Sequence, residues 1–212
     1  MNAPWLVVTD VDSTLIRDEV IELIADAVGP EARAHVEEVT ERAMRGELDF
    51  EQSLRERLQM LAGVPVSVLA NVRARVRVTD GVRELVDAVH AGGGIVAAVS
   101  GGFHEVLDPL AEDLGIDTTR ANRLEVADGF LTGRSRGPVI DAAAKRDTLL
   151  SLSANLGIPI ERTMAVGDGA NDLLMVQTAG VGVAFCAKPV LREAADAIVD
   201  RPDFRELIPL LV

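Results

Sequence analysis

The sequence is poor in aromatic residues: no tyrosine, one tryptophan and five phenylalanines among 212 residues. A base-stacking platform cannot be built from so few rings. Positive charge is also scarce. Lys and Arg number 21 against 34 Asp and Glu, a net charge of -13, and a nucleic-acid backbone demands the opposite balance. The acidity reads instead as a soluble, cytoplasmic surface. A single cysteine, Cys186, excludes an internal disulfide, and with three scattered histidines it cannot make a Cys/His zinc site. No apolar run approaches the ~20 residues of a membrane span, and no basic segment with an apolar stretch opens the chain as in a signal peptide. The expectation is a cytoplasmic protein, monomer or homodimer, with neither nucleic acid nor membrane as partner. Lysine is rarest among the charges: Lys145 and Lys188 are two of the 21 basic residues.

What is present alternates. "WLVVTD" (5–10) is a short apolar run that reads as a buried strand. Residues 17–76 then carry only helical spacing, in "RDEVIELIADAVG", "EARAHVEEVTERAMRG", "FEQSLRERLQMLAG" and a stretch in which Pro65 suits a first helical turn. From residue 77 onward helices and strands alternate, with a hairpin expected around Asp128-Gly129. Such alternation predicts an α/β fold, a Rossmann-like doubly wound parallel sheet with helices on both faces. Residues 1–16 and 77–212 form the expected core, and residues 17–76 a small helical cap inserted after the first strand.

Sheets of this kind bind ligands at the carboxyl ends of their strands. Three expected strand ends read "TDVDST", "VSGG" and "VGDGAND". Side chains two apart on an extended chain share a side, so Asp10 and Asp12 should converge; a polar turn in which Asp12, Ser13 or Thr14 caps a helix is the alternative. A calcium loop is excluded, because Leu15 and Ile21 stand where Gly and Glu are required. Asp168 and Asp172 add two further carboxylates, with Asn171 either beside them or as a helix cap. Four acids at one edge call for a counter-charge, and Mg²⁺ suits an oxygen donor set. Ser100 with the N–H groups of Gly101 and Gly102 reads either as an anion cradle at a helix start or as a plain Ser cap. Lys145, kept as lysine in an arginine-rich chain, suits a tight phosphoryl site; Lys188 gives the same signal without a role.

Together "DVDST", "VSGG", Lys145 and "GDGAND" resemble, in order, the four motifs of the haloacid dehalogenase superfamily of phosphotransferases. With "ERAMRGELDFEQSLRERLQML", "ANRLEVADGFLTG" and "AFCAKP", nearly the whole chain resembles the phosphoserine phosphatase branch. Val11 stands where that family commonly has Phe, with little effect expected. Many relatives carry an N-terminal regulatory domain; this chain starts at the catalytic strand, so serine feedback through such a domain is not expected. The resemblance implies a Mg²⁺-dependent hydrolase that converts O-phospho-L-serine to L-serine and phosphate, the last step of serine biosynthesis. It implies Asp10 as nucleophile, Asp12 as proton donor and acceptor, and Mg²⁺ on the Asp10 carboxylate, the Asp12 backbone carbonyl and Asp168. Lys145, Ser100, Gly101 and Gly102 would hold phosphoryl oxygens, with Asn171 also at the substrate and Asp172 orienting metal waters. Glu19 would meet the substrate ammonium, Arg57 its carboxylate, and Met44 and Phe50 would form an apolar wall. By themselves these last four read as solvated helix charges and ordinary packing. Two rivals stand beside this reading: the same fold acting on another alcohol or phosphate ester, and a non-catalytic Mg²⁺- or phosphate-binding module.

Overall fold

The computed structural model describes residues 4–44 and 47–212; the side chain of Met44, expected in the apolar wall, lies outside the described residues. Seven strands form one sheet in the order β4-β3-β2-β1-β5-β6-β7. The central strand β1 (Leu6–Thr9) is buried at every position. It pairs in parallel with β2 (Ile95–Phe103) on one side and β5 (Thr163–Gly167) on the other. The ends of all three strands therefore meet at one edge, where the order reverses and ligands of such sheets bind. β3 (Thr118–Ala127) continues the parallel run. β4 (Phe130–Arg136) returns antiparallel through Asp128 and Gly129, with φ of 51° and 83°. Positive φ at both turn residues is the geometry that an Asp-Gly hairpin favours. β6 (Val181–Phe185) and the unanticipated three-residue β7 (Ala197–Val199) complete the far edge.

The period of two along the strands divides the core. Val7, Val96, Ala98, Met164 and Val166 face α5 (Val82–Ala91) and α6 (His104–Leu114). Leu6, Val8, Ala97, Val99 and Ala165 face α7 (Ala142–Leu156) and α8 (Leu173–Thr178). A sheet so covered on both faces has apolar residues at both parities, which is why its strands read as continuous apolar runs. α9 (Pro189–Arg192) is a single turn, shorter than the "PVLREAAD" stretch suggests.

Between β1 and α5 lie α1 (Val20–Val28), α2 (Pro30–Met44), α3 (Phe50–Gln59) and α4 (Val68–Arg75). The last begins at Val68. Pro65, expected in its first turn, instead forms an extended bridge to Phe130. Gly63 N–H donates to Leu131 O (2.8 Å), Leu131 N–H to Val64 O (2.8 Å) and Val66 N–H to Gly129 O (3.0 Å), so this short stretch is pinned to β4. The two connections to the sheet are also laced together. Arg17 N–H donates to Arg77 O (2.9 Å) and Thr79 N–H to Leu15 O (3.0 Å). The Asp18 carboxylate accepts from the Arg77 backbone N–H (2.7 Å), Nε (3.0 Å) and Nη2 (2.6 Å). Apolar residues of these helices, among them Ile24, Val36, Leu54 and Val72, join the cluster on the α5–α6 face. Among the described residues no helix is long and apolar enough to cross a membrane.

Candidate active site

β1 ends at Thr9, and the chain turns sharply. Asp10 N–H still donates to Val166 O (2.8 Å), which holds this residue at the strand tip. Ser13, with φ of 58°, completes the turn. The period-two expectation therefore stops at Thr9, and the two acids do not share one partner. Asp10 faces Lys145, whose Nζ donates to its Oδ1 (2.5 Å). Asp12 faces the helical segment: Val20 N–H, in the first turn of α1, donates to its Oδ1 (3.1 Å). The capping alternative is thus realised in part, on a helix eight residues away. Ser13 Oγ donates to Glu19 Oε1 (2.6 Å), which fixes Glu19 beside Asp12.

Lys145 sits one turn into α7, whose N-terminus is capped by Asp141 accepting from Ala144 N–H (2.8 Å). Its ammonium is fully buried and also donates to Asp172 Oδ1 (2.7 Å). Asp172 Oδ2 accepts from the N–H groups of Asp168 (3.1 Å) and Gly169 (3.2 Å). The loop after β5 is thereby folded around Asp172, and Asp168 is turned toward Asp10. Oxygens of Asp10, Asp168 and Asp172 lie within 4.8 Å of one another.

Burial and the Asp172 charge push the Asp10 carboxyl well above its usual range, although Lys145 pulls it down. Burial, then Asp172, raises Asp168 to about 6. Burial and Glu19 raise Asp12 to about 8. Burial alone would favour neutral Lys145, but the adjacent Asp10 and Asp172 hold it protonated. One ammonium does not balance two buried carboxyls and a third, half-buried, at Asp168, so the cluster fits a divalent cation with oxygen ligands in both its donors and its charge deficit.

The end of β2 differs from its expected form. The strand runs on to Phe103 and α6 starts only at His104, so Ser100 is no helix cap. Gly102 N–H is not free: it donates to Ser100 Oγ (2.8 Å). With one lone pair of Ser100 so engaged, its hydroxyl proton remains to be offered as a donor. A Cβ at Gly101 would stand 2.9 Å from the Phe50 ring, and one at Gly102 would stand 2.8 Å from Asp12 Oδ2. Both glycines are there for space.

A cavity of about 320 Å³ opens over this edge, lined by Asp10, Asp12, Glu19, Phe50, Arg57, Gly101, Gly102, Asp168, Asn171 and Lys188 among others. Ser100, Lys145 and Asp172 lie buried behind it. Phe50 is placed by a reciprocal cap, Asp49 accepting from Gln52 N–H (2.8 Å) and Gln52 Oε1 from Asp49 N–H (3.3 Å). Arg57 donates through Nε to Ser53 O (3.2 Å) on its own helix; burial lowers its pKa against the pull of Glu19 and Asp12. A groove of about 400 Å³ along α7 and β3 is larger, but its charged groups are only the exposed Arg120 and Asp147.

Asn122 was not anticipated. Buried within β3, it donates through Nδ2 to Gly101 O (2.7 Å) and accepts at Oδ1 from Ile140 N–H (2.9 Å). It joins the end of β2 to the approach of α7, and so the Ser100 loop to the Lys145 helix. Its sequence signal is a lone amide among the alternating residues of "ANRLEV".

A model of the haloacid dehalogenase-like hydrolases matches residues 7–177. The phosphoserine phosphatase of Streptococcus thermophilus is 48% identical over 97% of this chain and 95% of its own length. That of Streptomyces coelicolor is 53% identical over 99% of this chain, which spans 51% of that relative. Two solved structures superpose over 100% of both chains. One is a phospho-aspartyl intermediate analogue of phosphoserine phosphatase (TM-score 0.92, 40% identity); the other is a substrate-bound phosphoserine phosphatase complex (TM-score 0.93, 39% identity). With these likenesses over nearly the whole chain, it belongs to the haloacid dehalogenase-like hydrolases and, within them, to the phosphoserine phosphatases.

Proposed function

We propose that the chain hydrolyses O-phospho-L-serine to L-serine and phosphate through an aspartyl-phosphate on Asp10. The observation that carries this reading is the pair of unlike carboxyls in one cavity: Asp10 against Lys145, and Asp12, raised to about 8, against α1. A nucleophile must be ionised and a proton donor must not; Lys145 draws Asp10 toward its ionised form against burial, while burial and Glu19 keep the proton on Asp12. The Asp10 carboxylate attacks phosphorus, and the bond from phosphorus to the serine oxygen breaks as Asp12 delivers its proton to that oxygen. Asp12, now ionised, takes a proton from a water whose oxygen attacks phosphorus, freeing phosphate and the Asp10 carboxylate.

Lys145 and the Ser100 hydroxyl hold phosphoryl oxygens, with the Gly101 N–H as a further donor. Asp172, its oxygens already taken by Lys145 and two backbone N–H groups, orients rather than reacts. Asp10, the Asp12 carbonyl and Asp168 would hold Mg²⁺, which would supply positive charge against the phosphoryl oxygens and favour the ionised form of Asp10. We assign residues 17–76 to a cap that selects the substrate over a core of residues 1–16 and 77–212. Glu19 takes the ammonium and Arg57 the carboxylate, with Phe50 as apolar wall and Asn171 beside the substrate. Ile21, Glu22 and Leu54 also line the cavity from the same segment.

Phosphate release from phosphoserine, phosphothreonine, phosphoethanolamine and an aryl phosphate, each with Mg²⁺ and with EDTA, tests the reading. Phosphoserine should be preferred and EDTA should abolish turnover; equal rates on all four would refute the substrate. Arg57→Ala should raise KM for phosphoserine about tenfold or more, the scale of a lost charged hydrogen bond, and leave KM for the aryl phosphate unchanged. Equal losses on both would remove Arg57 from carboxylate recognition.

A further inference from the structure

We propose that Lys188 is the steering residue of this site, the exposed cation that draws the anionic phosphate ester to a mouth otherwise dominated by carboxylates. The inference rests on the phosphatase reading and adds the means of approach.

The difficulty it answers is electrostatic. The chain carries a net charge of -13, and its cavity is lined by Asp10, Asp12, Glu19, Glu22 and Asp168 against only Arg57 and Lys188. A phosphate monoester arrives as a dianion. The charge of Lys145 is buried and shared between two carboxylates. Arg57 is half-buried and bonded to its own helix. Lys188 alone of the three is exposed, and its side chain makes no ion pair or hydrogen bond among the described residues. It lines both the catalytic cavity and an adjoining outer cavity of about 460 Å³, which shares Thr40, Phe50, Arg57 and Asn171 with the first. Its position spans the passage between them.

The backbone there is fixed. Lys188 N–H donates to Asp168 O (2.8 Å), and Lys188 precedes Pro189 at the start of α9. The root of the side chain is anchored while its stem remains free. The choice of lysine also follows. A guanidinium among these carboxylates would lock on with a two-pronged geometry, whereas a strongly hydrated ammonium on a flexible stem releases what it meets. A charge so placed acts on the rate of encounter and is screened by salt.

The test is kcat/KM for O-phosphoserine and for an aryl phosphate between about 20 and 500 mM ionic strength, in the Mg²⁺-loaded enzyme. Wild type should lose kcat/KM as salt rises. Lys188→Gln should lie about three- to tenfold lower at low salt, converge with wild type at high salt and keep kcat within about twofold. Lys188→Glu should invert the slope, and Lys188→Arg should recover the low-salt rate only in part, because its guanidinium pairs with the neighbouring carboxylates. The inhibition constant of L-serine, a zwitterion, should not change in Lys188→Gln. A wild-type salt slope in Lys188→Gln, or a loss confined to kcat, would overturn the proposal. Failure of wild type on phosphoserine with turnover of the aryl phosphate would refute the substrate assignment instead, and the salt slopes on the aryl phosphate would still decide the role of Lys188.

Discussion

Gly102 has no room for a side chain: a Cβ there would meet Asp12 Oδ2 at 2.8 Å and Ser100 Oγ at 3.0 Å. Gly102→Ala should displace both groups and lower kcat about 100-fold, the scale of a 1 Å misplacement at a reacting centre. Steady-state kinetics with a melting curve check this; a folded variant with unchanged kcat would show that neither group needs its present position. That Asp10, Asp12, Ser100, Lys145 and Asp168 gather at one edge of the sheet was legible in the sequence, because each stands at the end of an apolar run or in a conspicuous place. Two details were not. The turn after Thr9, rather than strand pleating, sends Asp10 and Asp12 to different partners. Asn122 acts through bonds to Gly101 and Ile140, 21 and 18 residues away, which no local pattern contains.

α3 carries Phe50 and Arg57, and it reaches its place by lying directly on β4 at Gly133. That residue has φ of 79°, and a Cβ would stand 3.0 Å from Ala62 Cβ and 3.3 Å from Leu58 O. Gly133→Val should cost about 1–2 kcal/mol in left-handed backbone alone and lower the melting temperature by about 2–8 °C. By pushing α3 outward it should also raise KM for phosphoserine more than for an aryl phosphate. Equal KM values in variant and wild type would show that the seat of α3 on β4 does not set Arg57. The four helices and the hairpin were legible from periodicity and from the Asp-Gly turn. The pinning of residues 63–66 to β4 was not, because it is a backbone pairing across more than sixty residues of chain. β7 escaped because three residues cannot display alternation.

For the molecule as a whole, the acid cluster links stability to pH and metal. Asp12 at about 8 and Asp168 at about 6 stand above an unfolded carboxyl near ~3.9. Between about pH 4 and 8 the folded chain therefore holds protons that the unfolded chain has released, and stability falls as pH rises. Asp203, held at about 2 by Arg205, works the other way. Its contribution is present above pH ~4 and is lost only below, so it adds no slope between pH 5 and 8. The metal-free protein should melt progressively lower from pH 5 to 8. A Mg²⁺ concentration about 100 times the Kd at neutral pH should add about 2.7 kcal/mol there, or about 5–10 °C, and the same concentration should add more at pH 8. A flat profile without metal would contradict the buried, cation-seeking cluster. The most direct test of the account is chemical trapping: react the Mg²⁺-loaded enzyme with O-phosphoserine, quench, reduce with borohydride and map the peptides by mass spectrometry. An acyl phosphate on Asp10 would leave homoserine at position 10. Reduction at another carboxylate, or an unmodified chain during active turnover, would contradict Asp10 as the nucleophile.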